Sequence, residues 1–136
     1  MSTCVFCEIA SGRTPAFVVL DEPGQVAFLD IRPLFAGHVL LVPRGHVETL
    51  GDLPPDAVAP LFTAAQRISR AVERGLGADG TFVAMNNRVS QSVPHLHVHI
   101  VPRRRKDGLK GFFWPRTKYP SDAEAKEIAA RIAAAL

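Results

Sequence analysis

The sequence predicts an α+β domain built on an antiparallel sheet of about five strands. Three observations support this fold class. Short apolar stretches of strand type are separated by turns of a few residues, which suits antiparallel neighbours. One long helical pattern interrupts the strands, and a second helix follows the last strand. A sheet this small leaves an edge free for pairing, so we expect a homodimer that extends the sheet.

Five segments carry the strand pattern, with apolar and β-branched residues bounded by turn formers. The first two, residues 17–21 and 25–30, are joined by a turn at Glu22-Pro23-Gly24. The third, residues 38–43, follows Gly37 and ends at Pro43. The fourth and fifth are residues 81–86 and 95–102.

Two segments carry the helical pattern. From Asp56 to about Arg74, apolar residues recur on one stripe, and Gly75 and Gly77 supply the stop signal. A second helix begins at Ser121, where Ser-Asp-Ala-Glu is a capping-box pattern. Its predicted buried side consists of Ile128, Ile132 and Leu136. We therefore predict a single domain over residues 1–136, with a core at about 4–103 and an extension with a helix at 104–136.

Composition excludes several classes of protein. A chain of 136 residues, 47% hydrophobic and 21% charged, can bury a core and is not of the disordered class. No apolar run approaches the ~20 residues of a membrane span. The first residues lack the basic and apolar regions of a secretory signal, so we expect a cytoplasmic protein. In that compartment a Cys-x-x-Cys pair favours metal or redox chemistry over a structural disulfide.

The most informative segment is the alternating run His95, His97 and His99. In an extended strand, side chains two residues apart point to the same face, so this spacing predicts three aligned imidazoles. The spacers Leu96, Val98 and Ile100 then face the core. Imidazole is suited to nucleophilic attack, proton transfer or metal binding near neutral pH. We expect the functional site on this strand; a half-buried strand with incidental histidines is the simpler alternative.

A basic run, residues 103–106, follows directly on this strand, in a chain of net charge +3. Two interpretations are open. The run is either a solvated loop or a rim that attracts phosphates. No aromatic platform accompanies it, so nucleic acid is not the expected partner, and no membrane association is expected either.

Three blocks together closely resemble the signature of the histidine triad (HIT) family. They are residues 4–15 (CVFCEIASGRTP), residues 27–46 (AFLDIRPLFAGHVLLVPRGH) and residues 91–103 (QSVPHLHVHIVPR), and they follow one another along the chain in the order typical of the family. The resemblance implies the HIT-like fold. It also implies cleavage of a nucleotide at the α-phosphate, with nucleoside phosphoramidates, nucleoside phosphosulfates or dinucleoside polyphosphates as substrates and a nucleoside monophosphate as product.

The resemblance assigns a role to each catalytic position. His97, the middle histidine, is implied to be the nucleophile, and a covalent nucleotidyl-histidine divides one hard displacement into two easier ones. His99 is implied to contact the phosphate or the leaving group, and His38 to be a buried neighbour of the triad. Gln91 and Ser92 are implied to hold the phosphate oxygens. Without the resemblance, His38 would be taken for a core histidine.

The nucleoside end follows from the same resemblance. Asp30 matches a carboxylate that accepts hydrogen bonds from the ribose hydroxyls. The expected base pocket, for a purine, has apolar walls, and plain core packing is the alternative for its members, which are Phe6, Ile9, Phe28 and Ile31. Asn86 or Asn87 matches an asparagine near the ribose or phosphate. The chain departs from the family here, because the loop before the triad is about two residues short and Ser90 replaces the usual glycine.

The resemblance also implies a zinc site. Family members with an N-terminal Cys-x-x-Cys bind zinc through this pair, the histidine after Pro-[Lys/Arg]-x and the first triad histidine. These residues are Cys4, Cys7, His46 and His95. Two thiolates and two imidazoles suit a closed, structural Zn²⁺ site. A free thiol pair with His46 on the surface is the alternative.

The expected function is hydrolysis, by a phosphoramidase or dinucleoside polyphosphate hydrolase. Two alternatives stay open. One is a nucleotidyltransferase or phosphorylase that uses the same histidine with phosphate or a sugar phosphate as acceptor. The other is a nucleotide-binding regulatory protein with little turnover. The complete triad favours the hydrolase, since transferase relatives typically have Gln at the third position.

Overall fold

The protein is described by a computed structural model covering residues 4–110 and 115–136. Its elements, in chain order, are three α-helices, one 3₁₀ turn at Leu50–Asp52 and five strands. They are α1 (Val5–Ala10), β1 (Val18–Asp21), β2 (Gln25–Leu29), β3 (Val39–Pro43), α2 (Pro55–Leu76), β4 (Gly80–Ala84), β5 (Val98–Arg103) and α3 (Asp122–Ala134).

The five strands form one antiparallel sheet in the order β1-β2-β3-β5-β4. The predicted fold class is therefore confirmed. Most strand ends and both ends of α2 lie within one or two residues of the predicted ones, which is the usual uncertainty of element boundaries. The order places the triad strand β5 between β3 and β4, so the last histidine emerges near the centre of the sheet.

The two faces of the sheet pack against different partners. Alternate residues of β2 and β3, such as Ala27 and Leu41, pack against the apolar stripe of α2. The residues between them, such as Phe28 and Leu40, pack against Phe6 of α1. Every residue of β3 is buried, because both faces are covered. His99 lies opposite Leu40 in the register, on the face that α1 covers.

The prediction that all three triad histidines lie on one strand is wrong. Strand β5 begins at Val98, so only His99 belongs to it. The reason lies in the backbone hydrogen bonds. The N–H of Leu96 donates to the carbonyl of Val47, and the N–H of His95 donates to the carbonyl of Val93. His95 and His97 therefore lie in a bend before the strand, and their rings serve different sites.

Helix α1 was not predicted from the sequence. The helix is six residues long, too short to show an apolar period, and Cys4 at its N-cap forms no side-chain cap. A six-residue helix is not stable alone in water. Here Phe6 is buried against Phe28 with ring centroids 5.5 Å apart, and Ile9 and Ala10 pack on the same cluster. Tertiary packing, rather than local propensity, forms this helix.

For the last helix, the predicted start is confirmed and the predicted buried side is wrong. Ser121 caps α3 by accepting a hydrogen bond from the N–H of Glu124. The predicted buried side is wrong: Ile128 is 37% exposed, Ile132 63% and Leu136 fully exposed. Phe62, predicted on the buried stripe of α2, is likewise 40% exposed. The reason is that α2 and the α1 cluster already cover both sheet faces, so a further apolar stripe has no face left within this chain.

Among the helices in residues 4–110 and 115–136, none combines the length and the apolar character needed to span a membrane.

Candidate functional site

A cavity of about 420 Å³ opens on the α1 side of the sheet, a size typical of small-molecule sites. Its walls are mostly apolar, and its polar groups lie together at one end. They come from the end of β2, from the loop before β5 and from β5 itself. Predicted site residues that line it are Phe6, Ile9, Phe28, Asp30, Ile31, Ser92, His97 and His99.

The ring of His97 is held in one orientation. Its Nδ1 lies 2.8 Å from the carbonyl oxygen of His95, and a carbonyl can only accept. The proton of the neutral ring is therefore on Nδ1, and Nε2 carries a free lone pair. The ring is 3% exposed, and Phe6 packs against it at 5.1 Å between centroids, edge to face. This arrangement leaves His97 the nitrogen that a nucleophile needs.

His99 belongs to a hydrogen-bond chain that begins at the backbone. The N–H of Leu34 donates to Nδ1 of His38 at 3.1 Å, so the proton of His38 is on Nε2. That Nε2 is 2.9 Å from Nδ1 of His99 and donates to it. Consequently the proton of His99 is on its own Nε2. One main-chain N–H thus sets the tautomer of two rings and makes His99 a donor.

Both rings of this chain are kept neutral. Burial lowers the pKa of His99 to about 4, helped by the neighbouring His97 and His38. Burial also lowers the pKa of His38, and the Asp30 carboxylate opposes part of that effect. At neutral pH His38 and His99 are therefore uncharged, and Nε2–H of His99 is available as a hydrogen-bond donor.

Asp30, His38 and His99 also form a group whose donor atoms lie within 4.8 Å of one another. A metal there would need a free lone pair on His38. Both nitrogens of His38 are engaged, one as acceptor from Leu34 and one as donor to His99. Asp30 is held separately: its Oδ1 accepts the N–H of Arg32 at 2.9 Å. We therefore interpret this group as a hydrogen-bond chain, not a metal site.

Hydrogen bonds from polar side chains stabilise the loop before the triad. The carbonyl oxygen of Asn87 accepts from the N–H of Leu50 at 2.8 Å, and the amide of Gln91 bridges Arg88 N–H and the carbonyl of Glu48. Ser90 has φ +61°, a left-handed conformation that favours glycine. This strain is the cost of a serine where the family has glycine.

The two asparagines differ in their position. Asn86 lines a second cavity of about 330 Å³ together with Asp30, His38 and His99. Its amide also donates to the carbonyl of Ser90 at 3.2 Å. Asn87 is engaged with Leu50 instead. The geometry therefore favours Asn86 over Asn87 as the residue that faces a ligand.

Sequence reasoning missed several cavity residues. They come from α1, from the linker that follows it and from strands β2 and β3, and no role was assigned to them although several lie within the family blocks. They are Val5, Thr14, Pro15, Ala16, Phe17, Leu29 and Leu40. The N–H of Leu34 was also missed, since a main-chain group leaves no signal in a sequence. Only their closeness to the β2 and triad blocks could have pointed to them.

A second cluster lies on the other side of His95. Nδ1 of His95 is 3.3 Å from Sγ of Cys4, 3.5 Å from Sγ of Cys7 and 3.2 Å from Nδ1 of His46. Tetrahedral zinc, with bonds of about 2.3 Å to sulfur and about 2.0–2.1 Å to nitrogen, separates its ligand atoms by roughly 3.3–3.8 Å. The observed distances fit such a site, and all four predicted ligands meet there.

The protonation of this cluster fits a cation as well. Nε2 of His95 donates to the carbonyl of Pro43 at 2.8 Å, so its Nδ1 presents a lone pair to the other three groups. Burial, and then the Cys4 sulfur, raise the pKa of the Cys7 thiol. Two thiolates and two lone pairs gathered at one point repel one another until a cation joins them.

Comparison with known proteins identifies the family. A sequence description of the HIT domain matches residues 11–106, which is most of the chain. The chain belongs to the HIT family. A HIT-like protein of Mycobacterium tuberculosis, named as uncharacterized, is 42% identical over 108 residues, covering 78% of this chain and 75% of that protein. The adenosine 5′-monophosphoramidase of Schizosaccharomyces pombe is 30% identical over 137 residues, covering 96% and 98%.

Solved HIT structures share the fold. A HIT protein from Bacillus subtilis superimposes with a TM-score of 0.90 at 30% identity, covering 99% of this chain and 98% of that one. A Zn-bound histidine triad protein from Mycobacterium smegmatis gives 0.75 at 37% identity, covering 98% of both chains. The HIT fold and the family resemblance are thus confirmed.

Half of the basic run after the triad has a structural role in this HIT domain. Arg103 forms a two-bond pair with Asp107 and also donates to the carbonyl of Leu109. Arg104 donates to the carbonyls of Leu76 and Gly77, where α2 ends in a left-handed glycine. Cationic caps at a helix C-terminus are favourable. These two side chains therefore favour the loop interpretation over a phosphate rim.

The buried, neutral state of His99 predicts a pH-dependent stability. Its pKa is about 4 in the folded protein against an ordinary value of 6.5. The unfolded chain therefore takes up a proton first as the pH falls. Stability from this group is complete above pH 6.5 and is lost towards pH 4, by on the order of 3 kcal/mol. His99→Gln removes the titration.

Urea unfolding at about pH 7.5 and about pH 4.5 checks this linkage. We expect the wild type to lose more free energy of unfolding than His99→Gln between the two conditions. Ile132→Ala, on the exposed face of α3, serves as the control and should behave like the wild type. Equal losses in wild type and His99→Gln would contradict a neutral, buried His99.

Proposed function

We propose that this HIT protein is a cytoplasmic hydrolase that cleaves nucleoside phosphoramidates or dinucleoside polyphosphates at the α-phosphate. The single observation that carries the proposal is the tautomer of His97: the carbonyl of His95 holds its Nδ1–H, which leaves the Nε2 lone pair for attack, and His97 lines the nucleotide-sized cavity. The phosphoramidase name of the S. pombe relative supports the phosphoramidate class. The thiol ligands Cys4 and Cys7 suit a reducing compartment.

In the proposed reaction, Nε2 of His97 attacks the α-phosphorus. The new P–N bond forms as the bond to the leaving group breaks, and the leaving group departs with the bonding electron pair. Nε2–H of His99, whose own Nδ1 accepts from His38, donates a hydrogen bond to the leaving group, which takes its proton from water. Water then attacks the phosphorus of the covalent nucleotidyl-histidine, and the P–N bond breaks and returns its electron pair to Nε2 of His97. The nucleoside monophosphate is released as the attacking water loses a proton to solvent.

The remaining predicted residues have binding roles in this proposal. The ribose hydroxyls donate to Asp30, whose Oδ1 is already held by the Arg32 N–H. A purine stacks between the apolar walls that include Phe6, Ile9, Phe28 and Ile31. Ser92 and the main chain of Gln91 bind the phosphate oxygens, and Asn86 faces the ribose or phosphate.

Replacing the nucleophile tests the reaction. We expect His97→Ala to release AMP from adenosine 5′-phosphoramidate and from diadenosine polyphosphates at least on the order of 10³-fold more slowly than the wild type. Product analysis by liquid chromatography measures the rate, and intact mass detects the added nucleotidyl group in a rapidly quenched wild-type reaction. Ile132→Ala is the surface control.

Three outcomes separate the candidate functions. AMP release at the wild-type rate by His97→Ala contradicts the assigned nucleophile. ADP formation from adenosine 5′-phosphoramidate when phosphate is added supports the phosphorylase alternative. Tight AMP binding with no turnover of any substrate supports the regulatory alternative.

We also propose that Cys4, Cys7, His46 and His95 hold a structural Zn²⁺. The convergence of their donor atoms and the zinc-bound M. smegmatis relative support this assignment. The ion would fix α1 to the segment after β3, with no open position for substrate.

Metal analysis of the purified protein tests the zinc site. We expect about one zinc per chain, lost in His46→Asn because one of four ligands is gone. His38→Asn is the matched control, since it removes a histidine from the other cluster, and it should keep its zinc. Zinc that is lost with His38 and kept without His46 would contradict the assignment.

Finally, we propose a homodimer formed through the edge strand β4. Val83 on β4 is 44% exposed and Phe62 on α2 is 40% exposed, and both line one shallow groove. Pairing of two β4 edges would satisfy the unpaired backbone groups and cover both side chains.

Sedimentation analysis tests the dimer. We expect Val83→Lys to convert the protein to monomers, because an edge lysine opposes strand pairing. Val19→Lys on β1, the opposite edge strand, is the matched control at a residue 47% exposed, and it should stay dimeric. A monomeric wild type would contradict the proposal, and so would a Val83→Lys variant that remains dimeric.

A further inference from the structure

The metal cluster and the nucleophile share one residue, His95. Its ring belongs to the cluster, with Nδ1 directed at Cys4, Cys7 and His46. Its backbone carbonyl belongs to the cavity, where it accepts the Nδ1 proton of His97 at 2.8 Å. A rotation of the His95 backbone would therefore move both groups. The ring is completely buried, so its position is coupled tightly to that of the peptide group.

Further contacts anchor His95 to the end of β3 and to the segment that follows it. Its Nε2 donates to the carbonyl of Pro43, and the next residue, Leu96, donates its N–H to the carbonyl of Val47. His46 places its ring 4.9 Å from that of His95, edge to face. Two hydrogen bonds and one ring contact thus hold the peptide whose carbonyl fixes His97.

Helix α1 provides a second connection between the metal cluster and His97. Phe6 lies in the first turn of this short helix, between Cys4 at the N-cap and Cys7. The Phe6 ring meets His97 at 5.1 Å and His95 at 5.9 Å, in both cases edge to face. The thiols therefore hold the helix that seats Phe6 against the nucleophile.

We infer that the four-ligand cluster positions the nucleophile, with His95 as the positioning residue and Phe6 as a second contact. Occupancy of the cluster fixes the His95 carbonyl and hence the Nδ1–H tautomer of His97. Without the metal, no bond ties the two thiols and the His46 ring to Nδ1 of His95, and the hydrogen bonds to Pro43 and Val47 remain as the hold on this peptide. The carbonyl and Phe6 then lose their fixed places, and the His97 proton exchanges between the two ring nitrogens. The catalytic consequence rests on the proposed function; the tautomer does not.

Nitrogen-15 spectroscopy of histidine-labelled protein reads the tautomer directly, in the absence of substrate. At about pH 8 we expect the zinc-loaded wild type to show a protonated Nδ1 and an unprotonated Nε2 for His97. Metal-depleted wild type and His46→Asn should show averaged nitrogen shifts. His46 is exposed, so its replacement opens no core. Glu48→Gln, an exposed neighbour whose side chain is not a ligand, is the matched control and should keep both zinc and tautomer.

Activity gives the second measurement. If the proposed function holds, loss of the cluster should lower kcat by about 10- to 100-fold, as expected for a displaced catalytic group and for loss of an outer-shell contact. A folded, metal-free protein that keeps the single Nδ1–H tautomer overturns the inference. A zinc-loaded protein with the fixed tautomer and no turnover defeats the proposed function alone.

One further variant covers the case in which metal loss unfolds the chain. Phe6→Leu keeps all four donor atoms and removes the ring contacts of Phe6 with His97, His95 and Phe28. We expect it to bind zinc as the wild type does, with altered His97 ring shifts and reduced kcat. Unchanged His97 shifts and unchanged kcat in zinc-loaded Phe6→Leu, in a chain that unfolds without metal, overturn the inference.

Discussion

An imidazole ring has two nitrogens, and a neutral ring can use only one of them as a donor. The structure depends on the groups that make this choice. The His95 carbonyl accepts a hydrogen bond from Nδ1–H of His97, the Leu34 N–H donates to Nδ1 of His38, and the Pro43 carbonyl accepts from Nε2–H of His95. Each ring is thereby held in one tautomer, and the proposed roles of nucleophile, relay and ligand follow from these tautomers. The main chain decides which chemistry each histidine can perform.

The fold supplies these main-chain groups because its central strands are buried on both faces. β3 packs against α2 on one face and against the α1 cluster on the other, so its ends are fixed in place. The segment that enters β3 carries Leu34 and His38, and the segment that leaves it carries Pro43 and His46. One strand therefore presents the hydrogen-bond chain at its start and the metal cluster at its end.

The sequence was sufficient for the fold class, for the number of strands and for the residues that the structure brings together in the two clusters. Those inferences rest on side-chain spacing, which a sequence records. It was insufficient where main-chain hydrogen bonds or the packing of other elements determine the structure. Strand β5 begins at Val98 because the N–H of Leu96 donates to the carbonyl of Val47. Ile132 is exposed because other elements already cover both faces of the sheet. The histidine tautomers could not be predicted either, because main-chain hydrogen bonds set them. Helix α1 was not predicted because six residues held by tertiary contacts leave no periodic signal.

Neutral imidazoles constrain how the site can stabilise a phosphate. Burial keeps the pKa of His99 near 4, so the ring donates as an uncharged group at neutral pH. An imidazolium beside His97 would compete for the phosphate and raise the cost of placing a charge in a buried cleft. In the proposed function, fixed dipoles therefore stabilise the transferring group, and we assign this role to the main chain around Gln91 and Ser92. The side chains of Asn87 and Gln91 hold that loop in place through hydrogen bonds to neighbouring main-chain groups.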